Sequence, residues 1–354
     1  MPEKEQHKGV IVLKTYSYVD APLEMHGVPF FAENHRLDRM TDADLEALKA
    51  ENPESGILGY GLNHRTPGAR ICFRTDAPQF TVRLELEKNS PDVGMSIFAC
   101  QAINVMIGPH TAARFAGLVN PGSYSTCKGE NTFEKPPVME DVTLYLPRNE
   151  HVVHVEVEVP DDARVESPTP YKYPPVLFYG SSITEGGCCC RVTNVYNALV
   201  CSWLDADFYN FGFSGSARGE LAVADCINRI PMSVFVYDYD HNAPTVEYLA
   251  RTHEPFFRRI REKHPTLPVI FMTRPSYQPN ADTDARAEVV AQTYRHAVEA
   301  GDRNVWFLDG RTFFGSEGAL CSCDDTHPND LGFYWMAQKL EPLLRHALDI
   351  AVGK

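Results

Sequence analysis

The sequence predicts an α/β protein in two parts. An antiparallel, jelly-roll-like β-sandwich is expected over residues 1–165, and a parallel sheet layered between helices over 176–354, with a linker at 166–175. Three observations carry this. In the first part apolar and polar residues alternate with a period of two, with no long helical pattern between the runs. In the second, short apolar runs alternate with helical ones, the order that buries a parallel sheet on both faces. Between them, Pro160, Pro168, Pro170, Pro174 and Pro175 fall in a polar stretch suited to a semi-rigid spacer.

Residues 1–40 mix one apolar run, Val10-Ile11-Val12-Leu13, with Pro, Gly and His, and predict no element. Thr41 followed by Asp42-Ala43-Asp44-Leu45-Glu46-Ala47-Leu48 predicts a short capped helix. Phe80, Val82, Leu84 and Leu86 alternate with Thr81, Arg83, Glu85 and Glu87, which predicts a strand with one buried face. Ile103, Val105 and Ile107 repeat the pattern, as do Val153, Val155, Val157 and Val159 around His154, Glu156 and Glu158. Leu144-Tyr145-Leu146 adds another strand, and several such strands without helices imply a sandwich.

In the second part Val176-Leu177-Phe178-Tyr179 reads as a fully buried strand that ends at Gly180. Further strands are expected at 208–211, 234–237, 269–272 and 305–308. Helical faces fall between them. Val195, Leu199 and Trp203 share one, and Val290, Tyr294, Ala297 and Val298 share another in a helix that Gly301 ends. The last helix carries Leu331, Trp335, Leu340, Leu344 and Leu348. In such a sheet the reactive groups belong at the carboxyl ends of the strands.

Composition narrows the function. Lys+Arg 33 against Asp+Glu 47 leaves a net charge of 33 − 47 = −14, which argues against a nucleic-acid or anionic-membrane partner and for a neutral small molecule. No run approaches a membrane span, and Met1-Pro2-Glu3-Lys4-Glu5-Gln6 holds no apolar leader. Ten cysteines in a chain this large do not read as a disulfide scaffold. Cys188-Cys189-Cys190 and Cys321-Ser322-Cys323 lack the Cys-x-x-Cys spacing of zinc sites, so no metal site is expected. The reading is a soluble, reduced, cytoplasmic protein.

The chemistry concentrates in four blocks. Ser182, just past Gly180, lies where the first parallel strand gives way to a tight turn, a position that exposes a hydroxyl to substrate. Near the C-terminus Asp324 stands three residues before His327, so its carboxylate can bend back to orient the imidazole as a base. Gly215 follows the second strand, where a backbone amide can approach substrate unhindered. Asn242 follows the third, with a side-chain amide able to donate to an oxyanion. Its alternative is an Asx turn before Pro244, and His241 is its rival.

These four blocks, in this order, resemble the SGNH (GDSL-type) hydrolases, over roughly the C-terminal half. The resemblance implies a flavodoxin-like three-layer fold, with Ser182 as nucleophile, Asp324 and His327 completing the triad, and Ser182, Gly215 and Asn242 as oxyanion donors. It departs from the common pattern twice. Ser181 stands where the family usually has aspartate, and Asp240-His241-Asn242 replaces Gly-x-Asn-Asp.

For substrate binding the candidates are Arg218, Glu220, His241 and Arg274. Arg218 and Glu220 either pair at the pocket rim or meet a substrate hydroxyl, unless they form a plain surface ion pair. The expected activity is removal of a small acyl group, acetyl, from a carbohydrate or similar polyol, through an acyl-enzyme and without a cofactor. One rival keeps the site and uses an alcohol acceptor, which makes an acyltransferase. The other is a carbohydrate-binding protein with an inactive hydrolase domain. The sandwich either walls the cleft or mediates a homo-oligomer.

Overall fold

In the computed structural model, which describes residues 12–92 and 94–354, the alternating strands of the N-terminal part form two facing antiparallel sheets. Val10 and Ile11 of the first apolar run lie outside the described residues; Leu13 opens the first strand. The strands are β1 (Leu13–Ser17), β2 (Glu24–His26), β3 (Arg70–Thr75), β4 (Gln79–Leu86) and β5 (Ile103–Ile107). They continue with β6 (Arg114–Val119), β7 (Lys128–Glu134), β8 (Glu140–Tyr145), β9 (Val152–Pro160) and β10 (Val165–Glu166). One sheet has the order β1-β9-β4-β7; the other runs β10-β3-β8-β5-β6, with β2 also on β3. Phe73, Val82, Leu84, Val105, Leu144, Val155 and Val157 fill the space between them.

One predicted inward residue turns out. Val153 is 46% exposed and Val152 is buried instead. The register slips between Glu85 and Leu86, so that Leu86 faces Val152 and Glu85 faces His154. Val153 is the extra residue of a bulge, and strict alternation fails there.

The capped helix forms as α1 (Asp42–Glu51), with a capping box between Thr41 and Asp44. Its apolar side does not join the sandwich. Leu48, with Phe30, Met40, Ile57 and Leu62, is buried in the core of the second part.

That second part is a five-stranded parallel sheet: β11 (Tyr173–Gly180), β12 (Ala206–Gly212), β13 (Val234–Asp238), β14 (Val269–Met272) and β15 (Val305–Leu308). Its spatial order, β12-β11-β13-β14-β15, is that of the flavodoxin-like sheets, and it places the topological switch beside β11. The helices are α2 (Ser182–Glu185), α3 (Tyr196–Leu204), α4 (Leu221–Ile227), α5 (Val246–Lys263), α6 (Ala281–Glu299) and α7 (Asp330–Ala351).

Helices cover both faces of the sheet; β13 and β14 are fully buried, whereas three of the four residues of the edge strand β15 are half-buried. Leu177, Tyr179, Phe235 and Tyr237 meet Val223 of α4, Phe256 of α5 and Val290 of α6. Val176, Phe178, Val234 and Val236 meet Val200 of α3 with Leu340 and Leu344 of α7. The predicted stripes are right in kind but drift at their edges: Leu199 and Trp203 are only half-buried, and Leu331 is exposed. Between the two parts, Tyr171 stacks on His110 at 3.9 Å. Among the described residues no helix is long and apolar enough to cross a membrane, and no disulfide forms.

Candidate active site

β11 lies between β12 and β13, and its carboxyl end brings three functional blocks together. Gly180 is required there by contact: a Cβ on it would sit 2.1 Å from Thr184 Oγ1 and 2.4 Å from the Asp238 carbonyl. Ser181 then caps α2, its Oγ accepting from the Ile183 amide at 3.1 Å. The serine that stands in place of aspartate thus serves the turn. Ser182 opens the helix, 7% exposed.

The Ser182 Oγ lies 2.8 Å from His327 Nε2. His327 Nδ1 is 2.8 Å from Asp324 Oδ2. In this arrangement Nδ1–H donates to the carboxylate and Nε2 accepts the serine proton. The loop that carries the pair is folded locally. Asp324 Oδ1 accepts from the His327 amide at 2.7 Å and from the Thr326 amide at 3.1 Å. Ser322 bridges to Pro328 at its base, and Asn329 caps α7 directly behind. Partial burial pulls the Asp324 carboxyl up, but the hydrogen bonds from His327 outweigh it and hold it below the usual carboxylate range.

Three candidate donors follow β11 and the two strands that flank it. Gly215 takes the left-handed φ of +67° in the turn after β12, and a Cβ there would meet open space. Among the described residues neither the Ser182 nor the Gly215 amide has an acceptor. Asn242, beyond β13, accepts from the Ala217 amide at 3.4 Å through Oδ1, which leaves Nδ2 to donate. His241 takes a different path: its Nδ1 is 2.6 Å from Arg274 Nη1 and so accepts from the guanidinium, leaving a proton on Nε2. Burial first, then the positive Arg274 and His327, lower its pKa to about 4. Asn242, rather than its rival, adjoins the Gly215 turn.

His241 and Arg274 line a polar cavity of ≈ 310 Å³, whose far wall is Asp325 and Thr326 from the base loop. The other two substrate candidates part company. Arg218 lies beside the Gly215 turn, with Nη2 3.5 Å from the Gly215 carbonyl. Glu220 is 4% exposed and accepts from Asn52 Nδ2 at 3.1 Å and Ser55 Oγ at 3.3 Å. The expected Arg218–Glu220 pair is not among the ion pairs of the described residues. Glu220 closes the α4 start onto the N-terminal segment, where burial raises its pKa.

Sequence reasoning missed the buttress of the site. Glu185, three residues past Ser182, accepts from the Ser214 amide at 2.7 Å and from its hydroxyl, fixing the turn that presents Gly215. Its other oxygen meets Arg65 at 3.1 Å and Arg148 at 3.9 Å. Arg39 donates to the Gly212 and Leu62 carbonyls and lies 4.1 Å over the Phe213 ring. Burial pushes the Glu185 carboxyl up, but Arg65, Arg148 and Arg39 reverse the shift and keep it low. The one signal in the sequence was a carboxylate on the nucleophile turn.

A model of the GDSL-like lipase/acylhydrolase family matches residues 173–345, and one of the N-terminus of SGNH-hydrolase-type esterases matches 16–165. No curated protein matches the chain. Among solved structures, a GDSL-like lipase from Bacteroides ovatus is 22% identical, with a TM-score of 0.82 over 96% of this chain and 98% of its own. A salicylyl-acyltransferase from a tetracycline biosynthetic pathway is 20% identical, with a TM-score of 0.75 over 94% and 97%. A family two carbohydrate esterase from Cellvibrio japonicus is 14% identical, with a TM-score of 0.61 over 96% and 98%. At such identities these structures share the fold, β-rich first part included. With both of its parts matched by models of one group, the chain belongs to the SGNH (GDSL-like) hydrolase family.

Proposed function

We propose that the protein is a serine esterase that removes a small acyl group, acetyl, from a carbohydrate or similar polyol. The observation that carries this reading is the continuous relay from Ser182 Oγ through His327 to Asp324, with both links at 2.8 Å. His327 Nε2 takes the proton as Ser182 Oγ attacks the ester carbonyl. The amides of Ser182 and Gly215 and the Asn242 side chain hold the oxyanion. Collapse expels the sugar hydroxyl, to which His327 returns the proton. Water, deprotonated by His327, then attacks the acyl-enzyme and frees the acid. The steps draw on no cofactor.

The sugar class rests on the polar cavity between His241, Arg274 and the base loop, and on the carbohydrate esterases that share the fold. An intact relay supports turnover over binding alone.

The test is hydrolysis of 4-nitrophenyl acetate and a longer acyl ester, followed by acetate release from acetylated oligosaccharides. Acetate should be the better acyl group, and Ser182→Ala should lower kcat by roughly 10⁴–10⁶-fold. Equal rates in Ser182→Ala remove it as nucleophile. Turnover only with an added alcohol acceptor replaces the hydrolase by an acyltransferase.

A further inference from the structure

Beside the relay, a third side chain converges on its histidine and aspartate. The chain after α2 turns back on Ser182, with the Gly187 amide donating to the Ser182 carbonyl at 2.7 Å. It then runs along the imidazole edge, where a Cβ on Gly187 would lie 3.0 Å from His327 Cδ2. The next residue, Cys188, is held at a left-handed φ of +67°. Its Sγ, a carboxylate oxygen of Asp324 and a ring nitrogen of His327 all lie within 4.8 Å of one another.

We propose that Cys188, Asp324 and His327 form a binding site for a borderline divalent cation of the zinc class, whose occupancy switches the enzyme off. One thiolate, one imidazole and one carboxylate are the donors such an ion prefers. Two ligands on one tetrahedral zinc stand about 3.5 Å apart, so small side-chain rotations close the set. All three side chains are reached by solvent; Asp324 is 49% and His327 18% exposed.

The surroundings favour a cation. Met95 Sδ lies 3.8 Å from the Cys188 Sγ, a further soft atom beside the site. Cys323 packs on the same turn, its Sγ 3.8 Å from the Cys188 carbonyl. The Asp324 carboxylate within the set attracts a positive ion. Coordination releases the thiol proton to solvent and forms one sulfur, one oxygen and one nitrogen bond to the ion. Whichever ring nitrogen of His327 is taken, its link to Ser182 or to Asp324 is lost, and with it proton transfer.

The inhibitory effect rests on the proposed esterase activity; the binding does not, and two measurements separate them. In the first, Zn²⁺ is titrated against 4-nitrophenyl acetate hydrolysis. Inhibition reversed by EDTA is expected. Cys188→Ser and Cys188→Gly, the latter suited to the left-handed backbone, should keep the basal rate and need at least about tenfold more Zn²⁺. In the second, Cd²⁺ is added to Ser182→Ala protein, which needs no turnover. A cadmium–thiolate charge-transfer band is expected, and it should disappear when Cys188→Gly is combined with Ser182→Ala. Equal Zn²⁺ sensitivity in both Cys188 variants, an unchanged cadmium band, or loss of the band through Cys323→Ser alone overturns the proposal.

Discussion

The two sides of the site are built by opposite means. Ser182 is 7% exposed at the end of a central strand, whereas Asp324 is 49% exposed on a loop. The nucleophile side is held by contacts made across the chain: Glu185 ties α2 to the Gly215 turn and takes Arg65 and Arg148 from the N-terminal part. The base side is held by neighbours, chiefly Asp324 on the amides of Thr326 and His327. On the proposed mechanism, a local turn suffices for a base that must reach solvent and substrate. Ser182 and the Gly215 turn sit in a fixed frame, and the N-terminal part supplies some of it through Arg65 and Arg148.

Breaking the frame should have the largest effect. Glu185→Ala leaves Arg65 and Arg148 facing a buried space without their carboxylate, and should cost about 3–5 kcal/mol of stability. A urea midpoint close to wild type would show that the N-terminal contacts do not brace the nucleophile. The base side should respond in the reverse manner. Asp324→Asn should lower kcat by roughly 10²–10⁴-fold through loss of the imidazole's orientation, with stability within about 1 kcal/mol of wild type. A large loss of stability there would erase the contrast.

The smallest effect sharpens the comparison beneath the nucleophile. Asp238 Oδ2 accepts from Thr184 Oγ1 at 2.8 Å and Tyr196 Oη at 3.0 Å. Burial first, and the neighbouring Asp240 second, raise its pKa to about 7. In the unfolded chain the same group titrates near pH ~4, so between these values the folded state binds more protons. Stability from this group is full below about pH 4 and is lost as pH rises through about 7. Asp238→Asn keeps an acceptor and removes the charge. It should be more stable than wild type by roughly 1–4 kcal/mol at pH 8, with the gain gone at pH 4. Denaturation at the two pH values checks this; an equal difference at both would remove Asp238 as the source.

Much of the fold was legible because its signals are local. The alternation in β4 and β5 and the apolar runs of β11 and β13 each reflect a face or faces buried along one short stretch. β7 escaped notice since Lys128-Gly129-Glu130-Asn131-Thr132-Phe133-Glu134 carries one buried side chain on an edge strand. β3 was missed for another reason: Arg70 breaks the apolar pattern, and its burial is compensated by Asp207 and by the Gly68 and Phe208 carbonyls. The site divides along the same line. Ser182, Gly215, Asn242 and Asp324 with His327 are marked by the turns they occupy; hydrogen bonds join Ser182 to His327 and His327 to Asp324, and Gly215 and Asn242 lie on the loops after the two strands that flank β11.

Glu185, Glu220 and Cys188 could not be read so. Their partners Arg65, Asn52 and Asp324 lie more than a hundred residues away in the chain. Spacing among cysteines predicts no metal site; the set proposed above takes its other donors from a carboxylate and an imidazole.

By itself, then, the sequence determined the order of the elements, the faces they bury and the turns that carry the reactive groups, because backbone propensity and hydrophobic period act over a few residues. Tertiary structure alone decided that Phe30, Met40, Leu48, Ile57 and Leu62 complete the core of the second part, that Glu220 faces Asn52 rather than Arg218, and that three arginines surround Glu185. A buried charge or polar group is stable only where a complementary one is brought to it, and that meeting depends on how the two parts pack.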